Sequence, residues 1–330
     1  MPPFMYSVAR PLLSWLVNTQ YRQAECALPI LMYHRILEQP DPLQPQVPDA
    51  RQLAMQLKAL GDHFTVLPLH EAAIRLRDGT LPRAAACITF DDGYRDNHDI
   101  AWPMLRRAGM PASIFVATGF LDRGRMFNDT VIEAVRRLPT GRHELSAFGI
   151  GPFELSDLAS RRVLIRKLTH ALKYLSTARR DTLCDQLIHM ADGALPDTVM
   201  MTREQVRSLA RQGVDIGGHT VNHPILASLD PEDAAHEIIT NRDELTTITD
   251  QRPCTFAYPN GKPDQDYTRH HAALVASAGY EVAVSTAVGV ATSQSDRHQL
   301  PRFVVNEPDA IRTVARMWRM GRFRGAACAT

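Results

Sequence analysis

Short apolar runs alternate with amphipathic helical segments along most of this chain, and that rhythm restricts it to a parallel sheet or barrel. The run Pro-Ile-Leu-Met-Tyr (29–33) comes first, then a helical pattern over about 50–60, the run Phe-Thr-Val-Leu-Pro-Leu (64–69) and a second helix near 71–78. A third run over 84–90 leads into a helix over about 97–108 that Gly109 ends, and a fourth occupies 112–117. Successive strands separated by a helix pair in parallel, because the helix carries the chain back to the end from which the last strand started. The expected class is therefore α/β. From about 127 to 195 the alternation stops and helical periodicity takes over, in DTVIEAVRRL, LASRRVLIRKLTHALKYL and TARRDTLCDQLIHMA. This segment reads as a helical insertion that packs around the sheet, with a lid over a site as the alternative. The alternation resumes at Thr202 and runs to about Ser285.

Two of the apolar runs end in residues that carry chemistry. Ala84 to Phe90 reads as a buried strand, and Asp91 and Asp92 stand at its end before Gly93, a residue that permits a sharp turn. Neighbouring carboxylates repel, and in a partly dry site a cation is the simplest remedy. The run Val214 to Gly218 ends in the same way, followed by His219 and His223. Two imidazoles and one carboxylate, with positions open for water, are the ligation of a catalytic metal site rather than a closed structural one. Histidines four apart would share a face inside a helix, as in the HExxH zinc motif. Here Pro224 biases His223 away from helical geometry, and Gly217 and Gly218 favour a turn, so both imidazoles are expected on a loop or single tight turn. Each string alone has a structural reading as a turn or helix start. Their joint occurrence at the ends of two strand-like runs carries the case, and a third string of similar form follows in Phe256-Ala257-Tyr258-Pro259-Asn260-Gly261.

TFDDG, HTxxH and FxYPxG, in that order, resemble the polysaccharide deacetylases of the NodB-homology type. With LMYHRI (31–36), the stretch 200–230 and LPRF (300–303), the pattern is similar to the exopolysaccharide branch that includes poly-N-acetylglucosamine deacetylases, over about residues 29–305. The resemblance implies a distorted (β/α)7 barrel with a helical insertion over about 127–195, an N-terminal extension over 1–28 and a basic tail over 306–330. It implies a metal-dependent hydrolase that removes an N-acetyl group from an amino sugar in a surface or exopolysaccharide, or in its carrier-linked precursor. Carried over residue by residue, it makes Asp91 the general base and Asp92, His219 and His223 the ligands of a divalent ion. Zinc is the expected ion, with Co, Ni, Mn or Fe as alternatives. It also makes the backbone N–H of Asn260 the oxyanion donor, with Tyr258 beside it in the substrate subsite. Two positions depart from the wider family. Ala257 stands where many relatives have an arginine that orients the base, and a late Leu-x-His string reads Leu300-Pro301-Arg302. An amine leaving group must be protonated, so His34, after the first strand, is the candidate acid. The competing reading of His34 is a buried histidine bonded to backbone. Arg302 either orients Asp91 or binds an anionic group of the substrate.

Composition bounds the partners. A chain of 330 residues, 45% hydrophobic, can bury one large core, and barrels run this long as one domain. A net charge of +1 with dispersed basic residues gives no electrostatic footprint for nucleic acid. Cys26, Cys87, Cys184, Cys254 and Cys328 form no CxxC or other metal spacing and read as reduced structural thiols. The run PLLSWLV (11–17), with Arg10 beside it and Pro11 opening it, is too short to span a bilayer and is a poor secretory signal. The expected location is the cytoplasm, which favours a lipid-linked or nucleotide-linked sugar as substrate. In the tail, Arg312, Arg316, Arg319, Arg322 and Arg324 stand among Val314, Met317, Trp318, Met320 and Phe323. That mixture suits peripheral contact with an anionic inner-membrane face, or a helix that covers the barrel's end. Two other classes of function stay open. One is a carbohydrate-binding barrel without catalysis, suggested by Ala257 and Arg302. The other is a non-haem iron enzyme, which shares the 2-His-1-carboxylate set but needs no second acid.

Overall fold

The computed structural model describes residues 3–21, 27–122, 124–191, 193–322 and 327–330, so Cys26, Phe323 and Arg324 lie outside the described residues. Seven parallel strands form the barrel: β1 (Ile30–Tyr33), β2 (Ala85–Phe90), β3 (Ser113–Val116), β4 (Asp215–Gly218), β5 (Thr255–Ala257), β6 (Val282–Val288) and β7 (Leu300–Val304). Each pairs with the next in chain order, and β7 closes on β1 with Phe303 opposite Leu31 and Val304 opposite Met32. The run expected as a strand over 64–69 contributes only Thr65–Val66, paired beside the start of β2.

The strands are short and mostly apolar, as strands covered on both faces are. On β2 the alternation is legible in the packing. Ala85 and Cys87 meet Ile30, Phe115, Ala257, Val284 and Leu300 in one cluster. Ala86, Ile88 and Phe90 join the cluster that holds Leu53, Leu57 and Leu60 of the helix Ala50–His63. That helix starts at a reciprocal cap: Asp49 accepts the Gln52 backbone N–H at 2.7 Å, and the Gln52 side chain accepts the Asp49 N–H at 3.1 Å. Such a cap stabilises by about 1 kcal/mol. After β2, the helix expected over 97–108 is broken into a π-turn, Asn97–Ala101, and the α-helix Trp102–Arg107. Pro103 has no N–H to give to the helical ladder, and π-turns favour functional neighbourhoods. Here the turn lets Asn97 Nδ2 donate to the His34 carbonyl at 2.8 Å.

The insertion has a core of its own. Helices Phe127–Arg137, Leu158–Lys173 and Thr177–Met190 pack Val131, Leu138, Leu164, Leu168, Leu172 and Leu187 together, with no barrel residue in that cluster. A β-hairpin, Gly141–Glu144 with Pro152–Leu155, joins the first two helices where only helical periodicity was expected. Four-residue strands leave too short a pattern to read. At the other side, Pro3–Gln20 lies against Ala50–His63 and Ala310–Met320, burying Leu13, Val17, Val314, Met317 and Met320 in the main core. The described part of the basic tail therefore forms a helix packed on the barrel's flank. No helix among the described residues is long and apolar enough to cross a membrane. Cys87, Cys184 and Cys254 are free thiols, the first two buried.

Candidate active site

The carboxyl ends of the strands gather the predicted acids and imidazoles on one rim. Asp91 follows β2 in the same phase as Ala85, Cys87 and Thr89, so its side chain belongs to the barrel interior. Its N–H donates to the Tyr33 carbonyl at 2.9 Å and extends the β1–β2 ladder by one residue. Simple alternation would send Asp92 to the opposite face. Instead Asp92 adopts a left-handed backbone, φ 75°, followed by Gly93 at φ 87°, and both acids serve the same rim. Thr220 (φ 62°), His223 (φ 52°) and Asn260 (φ 59°) are left-handed too. Each such residue costs on the order of 1 kcal/mol and persists only where its surroundings impose it.

At the histidine loop those surroundings are specific. Asn241, fully buried on the helix Pro231–Thr249, accepts the His219 N–H through Oδ1 at 3.1 Å. Its Nδ2 donates to the carbonyls of Val116 at 3.0 Å and Thr220 at 2.6 Å. Glu237, on the same helix, accepts the backbone N–H groups of Val221 and Asn222, each at 2.8 Å. Glycine is required before the loop: a Cβ at Gly218 would lie 2.1 Å from the Tyr280 hydroxyl. His219 and His223 thus sit on a tight turn at the end of β4, as their flanking glycines and proline predicted. Neither Asn241 nor Glu237 was singled out from sequence. The signal for Asn241 was present, because Ala234, Ile238, Asn241, Leu245 and Ile248 form one helical stripe with a single polar member.

Asp92, His219 and His223 converge. Both imidazole Nε2 atoms approach Asp92 Oδ1, at 3.3 Å and 3.4 Å, and the rings lie 4.8 Å apart. His219 Nδ1 is 2.7 Å from the Ala257 carbonyl. That carbonyl can only accept, which fixes the proton on Nδ1 and leaves the Nε2 lone pair aimed at the carboxylate. Asp92 Oδ1 is buried without a hydrogen-bond partner among the described residues. Lone pairs facing one another across such distances call for a cation between them. Separations of 3.3–3.4 Å also match the edge of a tetrahedron with arms of about 2.1 Å, the usual length for zinc bound by nitrogen and oxygen. One ligand atom from each of the three lies within 4.8 Å of the others, close enough to hold a metal ion. Burial would raise the Asp92 carboxyl, but the charge that His219, His34 and His223 carry when protonated holds it far below the usual carboxylate range. Burial pushes His223 down to about 3, which suits a neutral imidazole ligand.

Asp91 is held differently. Arg302, fully buried on β7, grips it with a two-pronged contact: Nη1 to Oδ1 and Nη2 to Oδ2, both 2.7 Å. Arg302 is itself fixed by Nε to the Ser285 carbonyl at 3.0 Å and Nη1 to Thr89 Oγ1 at 3.1 Å. Against the upward pull of burial, Arg302 and then His219 keep Asp91 below the ordinary carboxylate value. Of the two sequence readings of Arg302, the structure realises the first: it orients Asp91, from a different strand than the arginine that Ala257 replaces.

His34 follows β1 next to Asp91, since Tyr33 lies opposite Phe90. It is exposed, so the buried backbone-bonded reading does not hold. Together with Asp92, Tyr94 and Asp129 it lines a cleft of about 540 Å³. Asn260 follows β5 on the same rim, half-buried, and its carbonyl accepts the Thr286 hydroxyl at 2.6 Å. Tyr258 corrects the sequence reading. Its ring is fully buried, stacked on Tyr267 with centroids 3.9 Å apart, and its hydroxyl donates to the His298 carbonyl at 2.8 Å. The phenol therefore packs in the core and presents no group to a substrate.

Comparison with known proteins supplies the family. The polysaccharide deacetylase family matches residues 78–283, more than half of the chain. YxkH of Bacillus subtilis, whose name assigns it to the polysaccharide deacetylases, is 23% identical over 281 residues, covering 84% of this chain and 71% of its own. Among solved structures, the Streptococcus pyogenes deacetylase PplD in complex with acetate superposes with a TM-score of 0.59 at 19% identity, over 90% of this chain and 98% of its own. IcaB from Ammonifex degensii superposes with a TM-score of 0.57 at 18% identity, over 89% and 97%. The closed seven-stranded barrel is the fold these neighbours share, and the chain belongs to the polysaccharide deacetylase family of enzymes.

Proposed function

We propose that this protein is a metal-dependent deacetylase that removes the N-acetyl group of an amino sugar in a surface or exopolysaccharide, or in its carrier-linked precursor. The observation that carries the reading is the meeting of Asp92, His219 and His223 at 3.3–3.4 Å beside an Asp91 carboxylate held in the fork of Arg302. Asp92, His219 and His223 would hold the ion, zinc being the best match to two imidazoles and a carboxylate. When bound there, such an ion polarises an amide carbonyl and acidifies water. Asp91, kept ionised and off the metal by Arg302, accepts the proton of the attacking water. His34, exposed in the cleft next to Asp91, gives a proton to the departing amine. The N–H of Asn260, left unbonded among the described residues by its left-handed turn, supplies a donor for the oxyanion.

The competing classes fit less well. A non-haem iron enzyme has no use for a second buried acid with its own arginine. A barrel that only binds sugar has no reason to keep Asp91 and Arg302 as a buried pair, since the desolvation cost of such a pair is several kcal/mol per ion. The test is acetate release from N-acetylated sugars, free, polymeric and carrier-linked, by protein stripped with a chelator and reloaded with defined metals. Release that needs the metal and returns with zinc supports the reading. Release undiminished after stripping, or oxygen consumption by an iron-loaded sample, ends it.

A further inference from the structure

The cleft leading to Asp92 carries acids on its floor and cations along one helical wall. On the floor stand Asp92, from the barrel rim, and the buried Asp129, from the insertion helix Phe127–Arg137, whose carboxylate accepts the Met126 N–H at 3.0 Å and the Tyr94 hydroxyl at 3.2 Å and faces Arg35 at 3.7 Å. Arg35 is shared with Asp96 at 2.9 Å. On the other side, the insertion helix Leu158–Lys173 presents Ile165, Arg166, Thr169, His170 and Lys173 to the same cleft. Their spacing of three and four places them on one helical face. Three other cations of the insertion have acceptors: Arg136 binds Asp41, Arg137 binds Glu133, and Arg162 donates to the Pro42 carbonyl. Arg166 and Lys173 have no ion-pair partner among the described residues, and Lys173 is half-buried with its ammonium 5.3 Å from the Tyr174 ring. On the next insertion helix Arg180, buried over the Phe127 ring at 4.7 Å, has an Nε without a partner among the described residues.

A cation held part-way out of water without a counter-ion, as Lys173 is, is costly unless an anion completes it, and the exposed Arg166 stands two turns before it on the same helical face. The geometry points to a substrate that carries an oxyanion, a phosphate or carboxylate on the acetylated sugar or on its neighbour, seated against Arg166 and Lys173 while the acetamide lies at the acidic floor. This rests on the deacetylase reading of that floor. A cleft of about 540 Å³ lies within the ordinary range for small-molecule sites, about 300–1,000 Å³, and has room for a sugar and a charged substituent. Hydrogen bonds to charged groups are the strong ones, so the substituent would raise affinity more than an added neutral hydroxyl.

The experiment compares three probes: neutral chitobiose, N-acetylglucosamine 1-phosphate, and a disaccharide of N-acetylglucosamine with a uronate. Dissociation constants are taken by calorimetry on zinc-loaded Asp91→Asn protein, and kcat/KM from acetate release by wild type. One or both anionic probes bind about tenfold tighter than chitobiose at low salt, and the preference shrinks as salt is raised. The tighter of the two names the anion. In the double variant Arg166→Gln, Lys173→Gln, with circular dichroism and melting matched to wild type, the ratio falls to about one. Equal affinity for all three probes, or a ratio that the double variant leaves intact, overturns the inference. Failure of wild type to release acetate from any probe counts against the deacetylase reading, and the binding ratio still decides the charged wall.

Discussion

The barrel rim and the helical insertion face each other across one cleft, and they treat charge in opposite ways. On the rim, Asp92 Oδ1 and the exposed His34 apart, charged and polar groups have assigned partners: Asp91 has Arg302, His219 has the Ala257 carbonyl, and the histidine loop has Asn241 and Glu237. On the cleft-facing side of the insertion, Arg166 and Lys173 have none among the described residues. Groups locked by partners hold position to a fraction of an ångström, which bond-breaking chemistry needs. Groups without partners are free to take one, which recognition needs. The hydrophobic cores divide along the same line, since the insertion's cluster contains no barrel residue. The contrast suggests that chemistry and selectivity reside in separately packed parts of one chain.

The largest effect that can break this contrast is expected at Arg302. Arg302→Met leaves Asp91 buried without its counter-ion, at a cost of about 3–5 kcal/mol in stability, and turnover falls by about a thousandfold or more. Arg302→Lys keeps the charge but loses the fork, so thermal melts and acetate release both fall between wild type and Arg302→Met. If Arg302→Met melts and turns over like wild type, the rim is not built on partnered charge. Next in size is His34→Ala, expected to lower kcat by about a hundredfold with metal content unchanged. Because His34 is exposed, unfolding free energy should move by less than about 0.5 kcal/mol. Unaltered turnover removes it from the mechanism.

Asn241→Ala sharpens the comparison from the side of support. It strands the His219 N–H and the carbonyls of Val116 and Thr220 in a dry interior, for about 1–3 kcal/mol. Metal affinity should weaken with it, read by competition with a chelator. Leu168→Ala, in the insertion's own core, is expected to have the smallest effect on chemistry. It opens a cavity costing about 2–5 kcal/mol, seen as faster hydrogen exchange confined to 127–195. KM rises and metal content does not change. Loss of metal in Leu168→Ala would show that the two regions are not independent.

Much of the rim was legible in the sequence because its residues stand at strand ends, where an apolar run stops and a Gly or Pro follows. Asp91, Asp92, His219 and His223 were readable in that way, and the barrel was readable from the alternation that carries them. Tyr258 was misread because a motif fixes where the backbone goes and not which way a side chain turns. Here the stack on Tyr267 holds the ring in the core. The role of Arg302 was undecidable from sequence, since its partner is 211 residues away and nothing local reports closure of β7 against β1. The short hairpin over 141–155 was missed for the opposite reason, as its pattern is too local to outweigh the helices on either side.

The most direct test of the account measures zinc content and acetate release together on Asp91→Asn and Asp92→Ala. The account predicts that Asp91→Asn keeps wild-type zinc and loses turnover by about a thousandfold or more, whereas Asp92→Ala loses zinc and turnover together. Asp91→Asn protein that still releases acetate at the wild-type rate, or Asp92→Ala protein that still holds stoichiometric zinc, would contradict it.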